Sequence, residues 1–387
     1  MSEPAATSRG PLDGLVVADF SRVLAGPYCT MLLGDLGAEV IKVEGPSGDD
    51  TRHWTPPKRG DVGTYYLAIN RNKRSIVLDF SDAADLELAH RLAARADVVI
   101  QNFKPGGLTR FRLDYDSVRA LNPRSVYCSI SGFGAGQGAS LPGYDLLVQA
   151  VSGLMSLTGS PDGPAYRAGI SVFDVMTGLH SAIGILAALR HRDATGEGQH
   201  VETNLLSSAM SSLVNQTSAY LAGGVVPERM GNAHLSLFPY EPMPTSDGEI
   251  IVIAGNDRQF GTLCAALGRP ELADDDRFAT VAGRNENREL LRPELEELLS
   301  HRTATEWFDV LTEAGVACGP INTIEGGVKL ATQLGLEPEV DIDGVPTVRN
   351  PIRLSASPVT YRHAPPALDA DRAGIRAWLD DERAQAR

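Results

Sequence analysis

Residues 15–44 have the sequence LVVADFSRVLAGPYCTMLLGDLGAEVIKVE, and this stretch decides the fold class. It contains a short apolar run over 15–21, a helical pattern that opens at Gly26-Pro27, and a second apolar run over 39–44. Two strands joined by a helix form a β-α-β unit, in which the strands are parallel. Their nearly continuous apolar character predicts an α/β fold, with a parallel sheet covered by helices on both faces.

The same alternation of strands and helices continues along the chain. Further strands are predicted over 74–80, 97–103 and 125–131, and the amphipathic stretch 82–96 is typical of a helix. Ligands of such sheets bind outside the carboxyl ends of the strands, so we expect the functional site at that edge.

Beyond residue 143 the predicted helices are apolar on more than one face, as in 174–192 and 204–224. A helix of this kind needs cover on both sides, which favours a subunit contact. From residue 226 a smaller α/β domain is predicted, with a hairpin turn at Asp247-Gly248. The predicted boundaries are 1–204 for the large domain, 205–225 for a linker, 226–320 for the small domain, 321–349 for a second linker and 350–387 for a C-terminal return to the large domain.

The composition excludes several classes of function. The 387 residues include 35 basic and 49 acidic side chains, and the net charge of −14 disfavours nucleic acid and anionic lipid as partners. No apolar stretch is long enough to predict a membrane span, and the first residues lack the pattern of a secretory signal. The four scattered cysteines are typical of reduced thiols, so we expect a cytoplasmic protein. The eight histidines form no metal-binding motif, and we expect no metal.

A glycine-rich segment, GFGAGQGA at 132–139, resembles a dinucleotide fingerprint only superficially. A fingerprint follows the first strand and opens a helix, whereas this segment comes late and is followed by Leu141-Pro142-Gly143. We therefore expect no nicotinamide cofactor. The segment is either a connector or a loop whose backbone amides close over a reacting carbonyl.

A local excess of positive charge stands out in this acidic chain. It is either a solvated basic face or the site of a phosphorylated small molecule. The basic residues are Arg52, Lys58, Arg59, Arg71, Lys73, Arg74, Lys104, Arg110 and Arg112.

Asp174 precedes a long apolar helical pattern, and two interpretations of it remain open. Aspartate is a preferred N-cap residue. A helix N-terminus also stabilises a carboxylate anion, and such a carboxylate can attack an activated carbonyl as a nucleophile.

These residues carry a resemblance to the family III CoA-transferases, the superfamily of formyl-CoA transferase and carnitine CoA-transferase. The similar stretches are DFSRVLAGPYCTMLLGDLGAEVIKVEGPSGDDTRHW (19–54), NRNKRSIVLDF (70–80), NFKPGGLTRF (102–111), PGYDLLVQAVSGLM (142–155), ATGEGQHVETNLL (194–206), MGNAH (230–234) and AGVACGPIN (314–322). The sequence is most similar to the branch that moves CoA between succinyl-CoA and dicarboxylic acids. The resemblance implies a large Rossmann-like domain, a smaller domain and an interlocked homodimer.

The resemblance also implies a reaction and a set of site residues. Asp174 would attack the acyl-CoA thioester, and CoA would pass to the acceptor acid through aspartyl anhydride and aspartyl-CoA intermediates, without metal or ATP. The matching CoA positions are Val23, Leu24, Ala25, Leu78, Asn102, Phe103, Lys104, Arg110, Tyr144 and Asp145. The formyl-CoA transferase branch has Gln at the place of Leu24, so the resemblance does not extend to the small-acid specificity of that branch. It has Arg at the place of Gly45, so phosphate recognition would move to Lys104, Arg110 or the cluster of Arg71, Lys73 and Arg74.

Two further functions share this fold. In the similar α-methylacyl-CoA racemases a His stands where this chain has Tyr144, and a tyrosine is a weak base for an α-proton near neutral pH. A non-catalytic CoA-binding relative is the other alternative, and the presence of Asp174 argues against it.

In MGNAH, Asn232 and His234 either bind the acceptor carboxylate or are ordinary polar loop residues.

Overall fold

The computed structural model describes residues 10–381. The first nine residues, which belong to the segment without a secretory signal pattern, lie outside this range. Residues 382–387 of the predicted C-terminal return also lie outside it. The strands are Val16–Asp19 (β1), Glu39–Glu44 (β2), Lys58–Arg59 (β3), Val62–Gly63 (β4), Lys73–Val77 (β5), Val98–Gln101 (β6), Val126–Ser131 (β7), His200–Asn204 (β8), Tyr240–Pro244 (β9), Glu249–Ile253 (β10), Ala317–Pro320 (β11), Glu339–Ile342 (β12) and Val345–Val348 (β13). The helices are Ala25–Asp35 (α1), Thr64–Ile69 (α2), Ala83–Arg95 (α3), Tyr115–Leu121 (α4), Asp145–Val151 (α5), Leu154–Leu157 (α6), Val172–Thr195 (α7), Leu205–Ser212 (α8), Val214–Leu221 (α9), Asp257–Ala266 (α10), Val281–Glu286 (α11), Arg288–Leu299 (α12), Ala304–Glu313 (α13), Ile324–Gln333 (α14) and Arg372–Asp380 (α15).

A six-stranded sheet in the order β5-β2-β1-β6-β7-β8 forms the centre of the larger unit. Every neighbouring pair in it is parallel. Counted along the chain, the six strands therefore lie in the order 3-2-1-4-5-6, which is the Rossmann arrangement. The predicted α/β class and Rossmann-like sheet are confirmed. The order reverses between β1 and β6, so a crevice opens beyond the carboxyl ends of these two strands.

Helices cover both faces of this sheet. Successive residues of a strand point to opposite faces, so neighbouring residues pack against different helices. Val17 of β1 packs in one apolar cluster with helices α1 and α7, while its neighbour Ala18 packs in a second cluster with helices α3 and α15. The C-terminal helix α15 contributes the buried Ile375 and Leu379 to that second cluster. A helix near the end of the described chain thus helps to cover a sheet whose first strand is β1.

Helix α7 is long and apolar enough to cross a membrane, as judged by length and composition alone. Its residues Phe173, Ile185 and Leu189 are buried in the first apolar cluster. The core helix of a globular unit meets the same two criteria, so this finding assigns no membrane span.

The smaller unit comprises residues 155–166 and 226–336. It contains the antiparallel sheet β11-β10-β9 and a core formed with helices α10, α12 and α13. Strands β9 and β10 form the hairpin predicted at Asp247-Gly248, and the amide of Thr245 donates to the carbonyl of Gly248 at 2.8 Å.

The two units differ in extent from the predicted domains. The stretch 205–225, predicted as a linker, forms helices α8 and α9 of the larger unit, where α8 packs against α7. The stretch 321–349, predicted as a second linker, contains helix α14 and the hairpin of β12 and β13. Residues 337–381 belong to the larger unit, and residues 155–166 belong to the smaller one.

Candidate functional site

A cavity of ≈ 520 Å³ lies beyond the carboxyl ends of β1 and β6 in the larger unit. Nine of the residues predicted for the site line it together: Val23, Leu24, Ala25, Asn102, Phe103, Lys104, Tyr144, Asp145 and Asp174. Two predicted CoA positions do not line it. Leu78 is buried in the core, and the guanidinium of Arg110 lies 4.4 Å from the ring centroid of Phe111.

Asp174 is the third residue of helix α7 and is not its N-cap, a position held by Ser171. The capping is done instead by Asp145, at the start of α5. One oxygen of its carboxylate accepts hydrogen bonds from the amides of Phe173 at 2.8 Å and Asp174 at 3.2 Å. The N-cap interpretation of Asp174 is therefore wrong, because the first amides of the helix are satisfied by a carboxylate from another helix.

The buried Gln149 fixes the capping carboxylate in turn. Its side-chain amide donates to the other carboxylate oxygen of Asp145 and, at 3.1 Å, to the carbonyl of Ile170. Its oxygen accepts from the amide of Ala168 at 2.8 Å. Asp145 thus points into the protein toward the helix start, although it was predicted as a CoA contact.

The carboxyl group of Asp174 faces the cavity, and within residues 10–381 no side chain or backbone amide donates a hydrogen bond to it. Burial raises its pKa to about 7, and the negative charge of Asp145 adds to the rise. A carboxyl group with this pKa is poised between its acid and its anion near neutral pH. Perturbed pKa values of this kind are concentrated at functional sites.

An aromatic pair in the cavity wall was missed by the sequence analysis. The rings of Trp54 and Tyr65 meet edge to face with centroids 5.3 Å apart, and both residues line the cavity. Burial raises the pKa of the Tyr65 hydroxyl, which remains a neutral hydrogen-bonding group near Ser171. Trp54 ends one of the stretches that carry the family resemblance, which is the only sequence signal for this pair.

Three of the basic residues in the local excess of positive charge are committed to buried ion pairs, and a fourth is in a partly exposed pair. Arg71 binds Asp35 at 2.6 Å and Lys73 binds Asp19 at 3.2 Å. Arg52 binds Glu44 in the same way at 2.7 Å, and Arg74 pairs with Glu39. Arg71 and Lys73 are therefore not available to phosphate, because acids from α1 and β1 neutralise their charges inside the protein. Arg74 is only partly buried, and its partner Glu39 lies at the start of β2.

The cationic side chains that line the cavity are Arg22 and Lys104. Arg22 is exposed and lies 3.2 Å from Asp50, and the sequence analysis had not singled it out. Such a weak, solvated pair leaves the guanidinium free to exchange Asp50 for a phosphate group.

The glycine-rich segment begins directly after β7, at the edge of the same cavity. A Cβ atom on Gly132 would lie 2.4 Å from the Cα of Gly143, so the two backbones cross there only because neither residue has a side chain. Both glycines line the cavity. The segment follows the fifth of the six sheet strands in chain order, which agrees with the absence of a dinucleotide fingerprint at the first turn.

Asn232 and His234 lie in the smaller unit. The Nδ1 atom of His234 accepts a hydrogen bond from the amide of Ser236 at 3.0 Å, and its ring lies 5.0 Å from that of Tyr240. Their role toward an acceptor acid stays a prediction. Within residues 10–381 no cluster of His, Cys, Asp and Glu side chains is suited to hold a metal ion.

A half-buried carboxyl group in a cavity at the switch point of a parallel sheet is the arrangement of an α/β enzyme. The family model described as CoA-transferase family III matches residues 12–372, and the chain belongs to that family. The protein is thus a family III CoA-transferase.

Relatives and solved structures agree with this membership. The chain is 43% identical over 395 residues to the succinate–glutarate CoA-transferase of Agrobacterium fabrum, with 96% of each protein covered. It is 43% identical over 317 residues to the human succinyl-CoA:glutarate CoA-transferase, covering 81% of this chain and 72% of the human one. A crystal structure of a CAIB/BAIF family protein from Brucella suis has a TM-score of 0.87 and 45% identity, covering 96% of this chain and 100% of that one.

Proposed function

We propose that the protein transfers CoA from an acyl-CoA thioester, with succinyl-CoA as the expected donor, to a free dicarboxylic acid such as glutarate. The names of the two relatives above support this choice of substrates. The chemistry rests on one observation: the carboxyl group of Asp174 faces the cavity without a hydrogen-bond donor from the described part of the chain. An unpaired carboxylate at a helix start is free to act as a nucleophile.

The proposed reaction has four steps, and Asp174 is restored at the end. Its carboxylate attacks the thioester carbonyl of the donor, which gives a mixed anhydride and releases CoA as a thiolate. The thiolate then attacks the aspartyl carbonyl of this anhydride, which frees the donor acid and leaves an aspartyl-CoA thioester. The acceptor carboxylate attacks that thioester, and the released thiolate attacks the acceptor carbonyl of the second anhydride. One thioester replaces another, so no ATP is needed.

The cavity wall suits intermediates that water would destroy. Anhydrides hydrolyse readily, and the exclusion of water also strengthens the electrostatic interactions within a site. The wall near Asp174 is built largely of apolar and aromatic side chains, among them Leu24, Leu205, Trp54 and Tyr65. The glycine-rich segment after Gly132 lies at the same edge and supports the hypothesis of a loop that closes over the reacting carbonyl.

We assign the recognition of the CoA phosphates to Arg22 and Lys104. The assignment follows from the cavity lining, in which these are the two cationic side chains. Arg52, Arg71 and Lys73 are buried with acidic partners, and Arg110 does not line the cavity. A guanidinium and an ammonium at the cavity rim bind phosphate oxygens through charge-assisted hydrogen bonds.

We also propose that the protein is a homodimer in the cytoplasm. Helix α7 leaves Leu179 and Ile183 exposed, and Tyr220 and Leu221 of α9 are more than half exposed. Exposed apolar side chains of this kind on α7 and α9 are typical of a subunit interface. The native mass by light scattering is expected near twice the 41.3 kDa of the chain, and a mass near that of one chain at micromolar concentration would exclude the dimer.

The experiment that tests the proposed activity crosses acyl-CoA donors with carboxylate acceptors and detects new thioesters by mass spectrometry. Succinyl-CoA with glutarate is expected to give glutaryl-CoA and succinate. A chiral 2-methylacyl-CoA in D₂O serves as the control for a racemase, because a racemase incorporates deuterium at the α-carbon without an acceptor acid. Deuterium uptake without any CoA transfer would replace the proposed function with the racemase one, and CoA binding without either reaction would make the protein a non-catalytic relative.

A further inference from the structure

The turn between β1 and α1 has a backbone conformation that its sequence does not favour. Val23 has φ = +69°, in the left-handed region. A β-branched residue rarely adopts this conformation, and such strain persists only where the surrounding structure imposes it. The contacts that hold Val23 in this conformation therefore indicate the structural role of the turn.

Asn102, just beyond β6, holds the peptide groups on both sides of Arg22. Its Oδ1 atom accepts a hydrogen bond from the amide of Arg22 at 3.0 Å, and its Nδ2 atom donates to the carbonyl of Arg22 at 2.7 Å. Both polar atoms of the Asn102 side chain are thus hydrogen-bonded to the turn that follows β1, the strand next to β6 in the sheet. Asn102 lines the cavity, but these two polar atoms are directed to the turn.

Asp49 holds the next residue of the turn. Its carboxylate accepts from the amide of Val23 at 3.2 Å and from Lys42 at 2.8 Å. The buried ammonium of Lys42 also donates to the carbonyl of Ser21 at 3.2 Å. Because Lys42 and Asp49 are buried together, this pair fixes both the start and the middle of the turn.

The turn is also in contact with the helix that carries the nucleophile. Gly178 lies one helical turn after Asp174, and a Cβ atom there would lie 2.7 Å from the carbonyl oxygen of Ala25. Val23, Leu24 and Ala25 line the same cavity as Asp174. A displacement of the turn would therefore change the wall against which the acyl-CoA lies.

We infer that Asn102 is a positioning residue, which acts with Asp49 to hold Val23 in its left-handed conformation and so forms the acyl-CoA-binding wall. In this role Asn102 supports CoA binding through the turn, without a contact of its own amide to the nucleotide. The inference rests on the proposed CoA chemistry of the site, and its test uses the binding of CoA itself, which needs no turnover.

The test is a double-mutant cycle between Asn102→Ala and Val23→Gly, read as the Kd of CoA by calorimetry. Loss of two hydrogen bonds to the turn is expected to weaken CoA binding by about tenfold. Glycine adopts positive φ without strain, so Val23→Gly is expected to recover about threefold or more of this loss. If Asn102 instead touched CoA directly, its replacement would weaken binding equally in both backgrounds, and this result would overturn the inference.

Asn122→Ala is the matched control. The side-chain amide of Asn122 also bridges two backbone groups, the carbonyl of Ala96 and the amide of Arg124, but it lies outside the cavity. Its replacement is expected to leave the Kd of CoA unchanged. If Asn102→Ala does not fold, Asn102→Ser takes its place in the same cycle. A wild-type protein that binds no CoA would refute the proposed function, whereas normal binding with no coupling refutes only the positioning role.

Discussion

Replacement of Asp174 by asparagine is expected to stabilise the protein at alkaline pH while it abolishes CoA transfer. Asparagine has nearly the same shape as aspartate and cannot ionise. Burial, and then the charge of Asp145, raises the pKa of Asp174 from an ordinary 3.8 to about 7. The folded protein therefore holds this proton more tightly than the unfolded chain does. Between about pH 4 and pH 7 the unfolded chain is ionised while the folded protein still holds the proton, so stability falls as the pH rises. Above pH 7 the carboxyl group is ionised in both states, and the full loss is present.

The size of the effect follows from the two pKa values. One pKa unit corresponds to about 1.36 kcal/mol, so a pKa near 7 corresponds to a loss of roughly 4 kcal/mol of stability at pH 8 and above. We therefore expect the Asp174→Asn protein to be about 2–4 kcal/mol more stable than wild type at pH 9, with the difference vanishing near pH 4.

Urea unfolding at pH 5, 7 and 9 measures this difference. Asp61→Asn is the matched control, because Asp61 is exposed in the same unit, and substitutions of exposed side chains generally change stability by less than about 0.5 kcal/mol. Equal stability of wild type and Asp174→Asn at pH 9, or a less stable variant, would refute the argument that the carboxyl group is held in a desolvated position.

The same geometry leads to three further expectations. The kcat/KM for the acyl-CoA is expected to fall about tenfold per pH unit below pH 7, as Asp174 becomes protonated, and a flat profile from pH 5 to 8 would contradict this. Asp145→Ala should destabilise the protein by about 1–2 kcal/mol in urea unfolding through loss of the helix cap, and it should lower kcat more than it raises KM. Arg22→Gln and Lys104→Gln should each raise the KM for acyl-CoA about tenfold with little change for the acceptor acid, and equal changes for both substrates would contradict their assignment to phosphate.

The parallel sheet could be predicted from the sequence because its strands are short, apolar and separated by helical patterns. The strand pattern at 15–21 and 39–44 corresponds to β1 and β2. From its position in the sequence, Asp174 could be either a helix N-cap or a nucleophile. The resemblance to the family favoured the role of nucleophile. Only the fold brings Asp145 to the start of α7, from 29 residues away, and so identifies the residue that does the capping.

The basic residues illustrate why the rest of the site could not be predicted. Arg71 and Lys73 look like a phosphate site in the sequence because their acidic partners are far away along the chain. Asp35 and Asp19 come beside them only when β5 joins the sheet next to β2. Arg22, which stands alone in the sequence, lies at the cavity instead. Charge patterns locate basic residues, whereas only the fold determines which of them remain free.

The central claim is that the carboxyl group of Asp174 becomes acylated and then carries CoA. The most direct measurement incubates the protein with succinyl-CoA alone, treats it with hydroxylamine or borohydride, and maps the modified peptide by mass spectrometry. We expect a hydroxamate or a reduced side chain at Asp174 in wild type, and no modification in Asp174→Asn. An unmodified Asp174 in a preparation that still converts glutarate to its CoA thioester would contradict the account.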